Sequence, residues 1–66
     1  MNYSIIRQRR ALLSLTQQDL ADYAGVSLRS IRSIEAGKGN PSVATLSKIA
    51  EVLGLQLQLN VKEVAK

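Results

Sequence analysis

Chemistry in this chain must come from arginine, lysine, the acids and the hydroxyl and amide side chains, because it contains no histidine and no cysteine. A Ser-His-Asp or Cys-His nucleophile pair therefore cannot be assembled. Neither can a disulfide or a thiolate zinc site, and metal could be held only by carboxylates, which suit hard ions. No cofactor and no metal are expected, and enzymatic function is improbable on composition alone. Positive charge is what remains in quantity. Nine Lys/Arg stand against five Asp/Glu, a net charge of +4, which points to an anionic partner or a basic surface. Two groups of arginines draw attention: Arg29 and Arg32 beside Ser33, and Arg7, Arg9 and Arg10 close together near the start. A guanidinium presents planar, paired donors that match phosphate oxygens and the edges of guanine.

Elements must position those groups. Sixty-six residues allow one small domain. Apolar residues make up 45% of the chain and aromatics 3%, so the core has to be built from Leu, Ile, Val and Ala, a mix suited to small packed helices. Residues 4–14 predict a first helix, with Ile5, Ile6, Leu12 and Leu13 recurring at i, i+7 to stripe one face. Thr16 to Asp19 offers a hydroxyl cap with an acid three positions on. A short second helix follows with Leu20, Ala21 and Ala24 inward, ended by Gly25. Ser27 can cap a third helix over about residues 28–36, with Ile31 and Ile34 inward. Its opposite face is centred on Arg29 and Ala36, flanked by Arg32 and Ser33, with Leu28 at the edge. Gly37 to Pro41 reads as a loop. Ser42 can cap a fourth helix carrying Val43, Leu46, Ile49, Ala50 and Leu53, which Gly54 ends.

After Gly54 the period changes. Leu55, Gln56, Leu57, Gln58, Leu59, Asn60 and Val61 alternate apolar and polar, a strand pattern with one apolar face. No other segment reads as a strand, and a lone strand leaves its ladder groups unpaired. The expectation is pairing with the same strand of a second copy through Leu55, Leu57, Leu59 and Val61, giving a C2 homodimer. The alternative is a fifth helix or a frayed end. The start has no apolar core of signal-peptide length, and no run approaches a membrane span, so a cytoplasmic protein is expected, with no membrane partner.

The segment Gln17 to Glu35 joins two short helices by a tight turn, with a small residue at Ala21 where the helices approach and glycine at 25 where the chain reverses. That is a helix-turn-helix. Here the sequence resembles the phage-repressor-like, or XRE-family, domain, in the runs Leu15 to Ser27, Ile31 to Ser42 and Thr45 to Gly54. The resemblance covers residues 4–54 and implies an all-α, compact four-helix lambda-repressor-like domain over residues 1–54 that binds operator DNA as a dimer. Residues 55–66 are then a C-terminal dimerisation strand and tail. Ordinary phage repressors continue into a fifth helix, whereas the alternating tail looks more like HipB-type antitoxins. That narrower resemblance implies a protein that represses its own operon and neutralises a HipA-like kinase toxin. The alternatives are a phage or plasmid-type repressor with no toxin, or a protein-interaction module whose helix-turn-helix is vestigial.

Contacts follow from the way a recognition helix enters the major groove near its N-terminus: Leu28, Arg29, Arg32 and Ser33 are candidates for base edges. Arg29 is the foremost, through two bonds to guanine. Leu28 is either a thymine-methyl contact or an edge-of-core leucine. Gln17, at the start of the second helix, is placed to hold a phosphate. Ser27 serves as a cap or a phosphate contact, and Ser30 can donate to a phosphate. The resemblance adds Lys38 and Asn40 as backbone contacts in the following loop. It also implies that Arg10 pairs with Glu35 to tie the bundle together. Arg7 and Arg9 read as a solvated face adding long-range attraction, and Lys62 and Lys66 as solubility residues.

Overall fold

The computed structural model describes residues 3–57. Four helices follow in order: α1 (Ser4–Leu12), α2 (Gln17–Ala24), α3 (Leu28–Glu35) and α4 (Val43–Leu53). Three of the four begin on a hydroxyl that accepts a backbone N–H of the first turn: Thr16 from Asp19, Ser27 from Ser30 and Ser42 from Thr45. At α2 the cap is reciprocal, since the Asp19 carboxylate accepts the Thr16 N–H at 2.9 Å while Thr16 Oγ1 accepts the Asp19 N–H at 2.9 Å. Two donors that helix geometry orphans are satisfied at once.

Between α2 and α3 the chain reverses through Gly25 and Val26. Gly25 has φ +69°, a left-handed conformation that costs an L side chain roughly 1–2 kcal/mol. The Val26 N–H then reaches back to the Ala21 carbonyl at 3.0 Å, which closes the end of α2. α2 packs against α3 and α4, and α1 packs against α4 and α3. The core is aliphatic, as composition requires: Ile6, Leu20, Ala21, Ala24, Ile31, Ile34, Ile49 and Leu53 form one buried cluster. Leu20, Ile31, Ile49 and Leu53 are fully buried, each worth about 1.5–3 kcal/mol of burial.

The apolar stripe expected along α1 is not what docks it. Ile6 is buried, but Ile5, Leu12 and Leu13 are 49%, 70% and 43% exposed. Ile5 and Leu12 lie roughly 100–120° round the helix from Ile6, and for Leu13 the reason is length. Leu13 shares the angular position of Ile6, but α1 ends at Leu12, and Ser14 turns the chain with φ +58°. The i+3 and i+4 neighbours of Ile6 are Arg9 and Arg10, both half-buried, and they complete its inward face. Past α4 the Leu55 N–H bonds the Ala50 carbonyl at 2.8 Å, and the Leu55 side chain packs on the core. Leu55, Gln56 and Leu57 belong to neither helix nor strand, and no strand occurs among the described residues. Leu59 and Val61, and with them Lys62 and Lys66, lie outside those residues. No described helix is long and apolar enough to cross a membrane.

Candidate nucleic-acid interface

α3 is seated by Ile31 and Ile34, which are 0% and 3% exposed. At about 100° per residue, fixing those two inward forces Arg29 outward, with Ser33 and Ser30 on one side of it and Arg32 and Leu28 on the other. Arg29 and Arg32 are exposed, and Leu28 is half-buried against the core. The helix thus stands as a ridge between two clefts. One is lined by Arg29, Ser30 and Ser33 together with Lys38, Gly39, Asn40, Pro41 and Thr45. The other is lined by Arg32, Glu35 and Ala36 with Arg7 and Arg10 of α1 and Gln17 of α2.

The first cleft brings together Arg29, Ser30, Ser33, Lys38 and Asn40, five residues that spacing and resemblance singled out. Ser33 holds the loop in place. Its hydroxyl donates to the Lys38 carbonyl at 3.1 Å, and the Lys38 N–H bonds the Ser33 carbonyl at 2.9 Å. A Cβ on Gly39, where φ is +76°, would lie 3.0 Å from Ser33 Oγ, so a side chain there would strain the backbone and force Ser33 to give way. With its donor spent, the Ser33 hydroxyl offers only lone pairs to an outside group. Ser27 Oγ accepts the Ser30 N–H at 3.0 Å and donates to Ser30 Oγ at 2.9 Å. Its donor is committed to the cap, which leaves the Ser30 hydroxyl hydrogen as the outward donor of the pair. Thr45 is an addition that sequence order could not reveal. It lies twelve positions after Ser33 and reaches the same cleft because α4 starts beneath the loop.

The second cleft is organised by Glu35. Arg10 Nε donates to Glu35 Oε2 at 2.7 Å and Arg10 Nη2 to Oε1 at 3.0 Å, a two-pronged pair in which the Glu35 side chain is 4% exposed. Arg10 Nη1 also donates to the Leu15 carbonyl at 2.8 Å. The hydrogen bond to Glu35, with its negative charge, holds the Arg10 guanidinium above the ordinary arginine range against the opposing effect of burial. Gln17 joins the same carboxylate, its Nε2 donating to Oε1 at 3.1 Å. Ends of α1, α2 and α3 therefore meet on one side chain. Gln17, expected to hold a phosphate, has one amide hydrogen occupied here and keeps the other and its oxygen. Arg9 is corrected more fully: its Nε donates to the Leu53 carbonyl at 3.1 Å, so it closes the C-terminal end of α4 rather than standing as solvated charge.

Charge on this side is unbalanced. Arg10 is neutralised by Glu35 and Arg9 faces the negative end of α4. Arg7, Arg29, Arg32 and Lys38 are exposed, and no carboxylate pairs with them among the described residues. Asp19 is held in its capping box and Asp22 by Gln18 at 2.9 Å. A protruding helix with four uncompensated cations around it is shaped and charged to meet an anionic polymer.

Comparison with known proteins decides the relationship. The family model described as helix-turn-helix matches residues 6–60. The chain belongs to the XRE family of helix-turn-helix proteins. Within this family it is 43% identical over 53 residues to an uncharacterized HTH-type transcriptional regulator of Methanocaldococcus jannaschii, covering 80% of each chain. It is 38% identical over 53 residues to the cryptic phage CTXphi transcriptional repressor RstR of Vibrio cholerae, covering 80% of this chain and 46% of that one. It is also 45% identical over 49 residues to the uncharacterized HTH-type transcriptional regulator RghRB of Bacillus subtilis, covering 73% of this chain and 35% of that protein.

Proposed function

We propose that the chain is a sequence-specific DNA-binding repressor of transcription that acts as a homodimer. The observation that carries this reading is the α3 ridge, with Arg29 at its crest and uncompensated cations in the clefts on both sides. α3 lies in the major groove, Arg29 reads a guanine, and Leu28 and Ser33 contact the bases beside it. Gln17, Ser30, Lys38 and Asn40 hold backbone phosphates, with Thr45 at the cleft wall. Two copies place their ridges ~34 Å apart in successive grooves of a near-palindromic operator and occlude polymerase. The repressor among the relatives supports the direction of regulation. Selection of bound duplexes from a random pool tests the proposal: it should recover two inverted half-sites one helical turn apart. A pool that stays random would overturn it.

The alternation from Leu55 to Val61 supports a narrower proposal, in which the tails pair across the dimer and the protein is a HipB-like antitoxin with a HipA-like kinase as partner. Co-expression with the protein encoded beside it tests this. A kinase that co-purifies with the chain, and does so equally with the Arg29→Ala variant, supports the antitoxin. A neighbour that is no kinase leaves a repressor without a toxin. A module with a vestigial helix-turn-helix is disfavoured by the exposed, uncompensated Arg29 and Arg32.

A further inference from the structure

The second cleft carries more than the tie that Glu35 makes. Glu35 is committed within the bundle, taking both prongs of Arg10 at 2.7 and 3.0 Å and the Gln17 amide at 3.1 Å. Arg7 and Arg32 line the same cleft from α1 and from α3. Both are exposed, and neither has a hydrogen-bond or carboxylate partner among the described residues. Arg10 and Glu35 cancel, so the cleft holds two unbalanced guanidiniums facing one concavity. Like charges so placed repel, and an anion between them relieves the repulsion. The free N–H of the Gln17 amide, at the first position of α2, points the same preference.

We infer that this cleft seats one DNA backbone phosphate between Arg7 and Arg32, which makes Arg7 a contact residue and Arg32 a reader of the backbone rather than of bases. The inference rests on the DNA-binding proposal and deepens it. On the helical wheel Arg32 stands on the α1 side of Arg29, away from the loop cleft, and its share of the surface is the cleft it forms with Arg7. A phosphate gripped there fixes the angle at which α3 enters the groove, because α1 and α3 would hold one anchor together. Arg29 is then the single arginine of α3 left for base readout.

The test compares the intact chain with Arg7→Ala, Arg32→Ala, Arg32→Lys and the double Arg7→Ala/Arg32→Ala variant, titrated with a duplex of mixed sequence over a range of salt. The double variant should lower the log–log salt slope by about 0.9, the amount for one phosphate, and weaken binding to all sequences alike. A fall of about 1.8 would mean two separate phosphates and would overturn the shared seat, as would an unchanged slope. Arg32→Lys should keep the slope, since a point charge suffices for a phosphate. Duplex selection with Arg32→Ala should recover the same motif as the intact chain, and loss of a base preference would return Arg32 to base reading. Inorganic phosphate, at ionic strength matched with chloride, should leave the Arg7 and Arg32 Nε–H resonances in place while the duplex shifts them. Equal shifts by both would mark a free-anion site instead. Should the intact chain bind no duplex, the DNA-binding proposal itself falls. Should it bind and lose its motif with Arg29→Ala while the Arg7 and Arg32 variants stay unchanged, only the phosphate seat falls.

Discussion

Arg29 and Arg10 are the same residue type put to opposite uses. Arg29 is exposed at the crest of α3, whereas Arg10 is folded onto a carboxylate whose side chain is 4% exposed. Truncating each should separate the two roles. Arg29→Ala should leave thermal stability within about 0.5 kcal/mol, as for a surface substitution, and remove about 1–3 kcal/mol of discrimination at one base position, measured by competition between matched and mismatched duplexes. Arg10→Ala should do the reverse, because it strands Glu35 with only the Gln17 amide. Removing one partner of a fully buried pair costs about 3–5 kcal/mol; this pair is part-buried, with the Arg10 side chain 16% exposed, so a loss of about 1–3 kcal/mol is expected, out of the ~3–10 kcal/mol of a domain this size. Denaturant unfolding should show a clearly lowered midpoint for Arg10→Ala, and a midpoint close to that of the intact chain would contradict the role assigned to the pair. The guanidinium, held above the ordinary arginine range, keeps its charge at any pH at which the protein would be studied.

Elements whose ends are set locally were legible in the sequence, and elements whose docking is set by distant residues were less so. The hydroxyl caps at Thr16, Ser27 and Ser42 and the stop at Gly25 act within a few positions of themselves, so residue order alone announces α2, α3 and α4. The outward face of α3 follows in turn from the inward Ile31 and Ile34. α1 was misread because its apolar recurrence suggests a longer helix than nine residues, and because its true inward neighbours of Ile6 are charged. Arginine at such positions reads as surface until its acceptors are known. The Glu35 carboxylate, 25 positions from Arg10, is reached only through the family resemblance, and the Leu53 carbonyl, 44 positions from Arg9, is not signalled at all, because both acceptors are supplied by tertiary packing. The loop after α3 gives a prediction at this scale. Gly39→Ala should strain the left-handed backbone and push against Ser33 Oγ, 3.0 Å from the new Cβ. The loop should lose its bond from Ser33, and duplex affinity should fall more than stability does. In a Ser33→Ala background the steric part of the effect should disappear, a non-additivity that a double-mutant cycle would read directly.

At the scale of the whole molecule the basic character is concentrated rather than spread. A net charge of +4 is modest, but Arg7, Arg29, Arg32 and Lys38 gather at the two clefts that flank α3, while Asp19 and Asp22 are engaged on α2. Affinity for one domain of this size should be weak, and two domains on one duplex gain through high effective concentration. If the tails join them, a chain ending after Leu57 should sediment as a monomer and bind its operator more weakly. That end point preserves the packing of Leu55 on the core, so loss of the dimer would not be loss of the fold. A truncated chain that remains a dimer of unchanged affinity would show that the interface lies elsewhere.

The surface around α3 is proposed to read a DNA sequence on a foundation of phosphate contacts. Titrating the protein with its selected duplex and with a scrambled duplex, across a range of salt, tests this. The selected duplex should bind at least about 10³-fold tighter at matched salt, with both affinities falling as salt rises at about 0.9 in log–log slope for each phosphate neutralised. Equal affinity for the two duplexes, or affinities that do not change with salt, would contradict it.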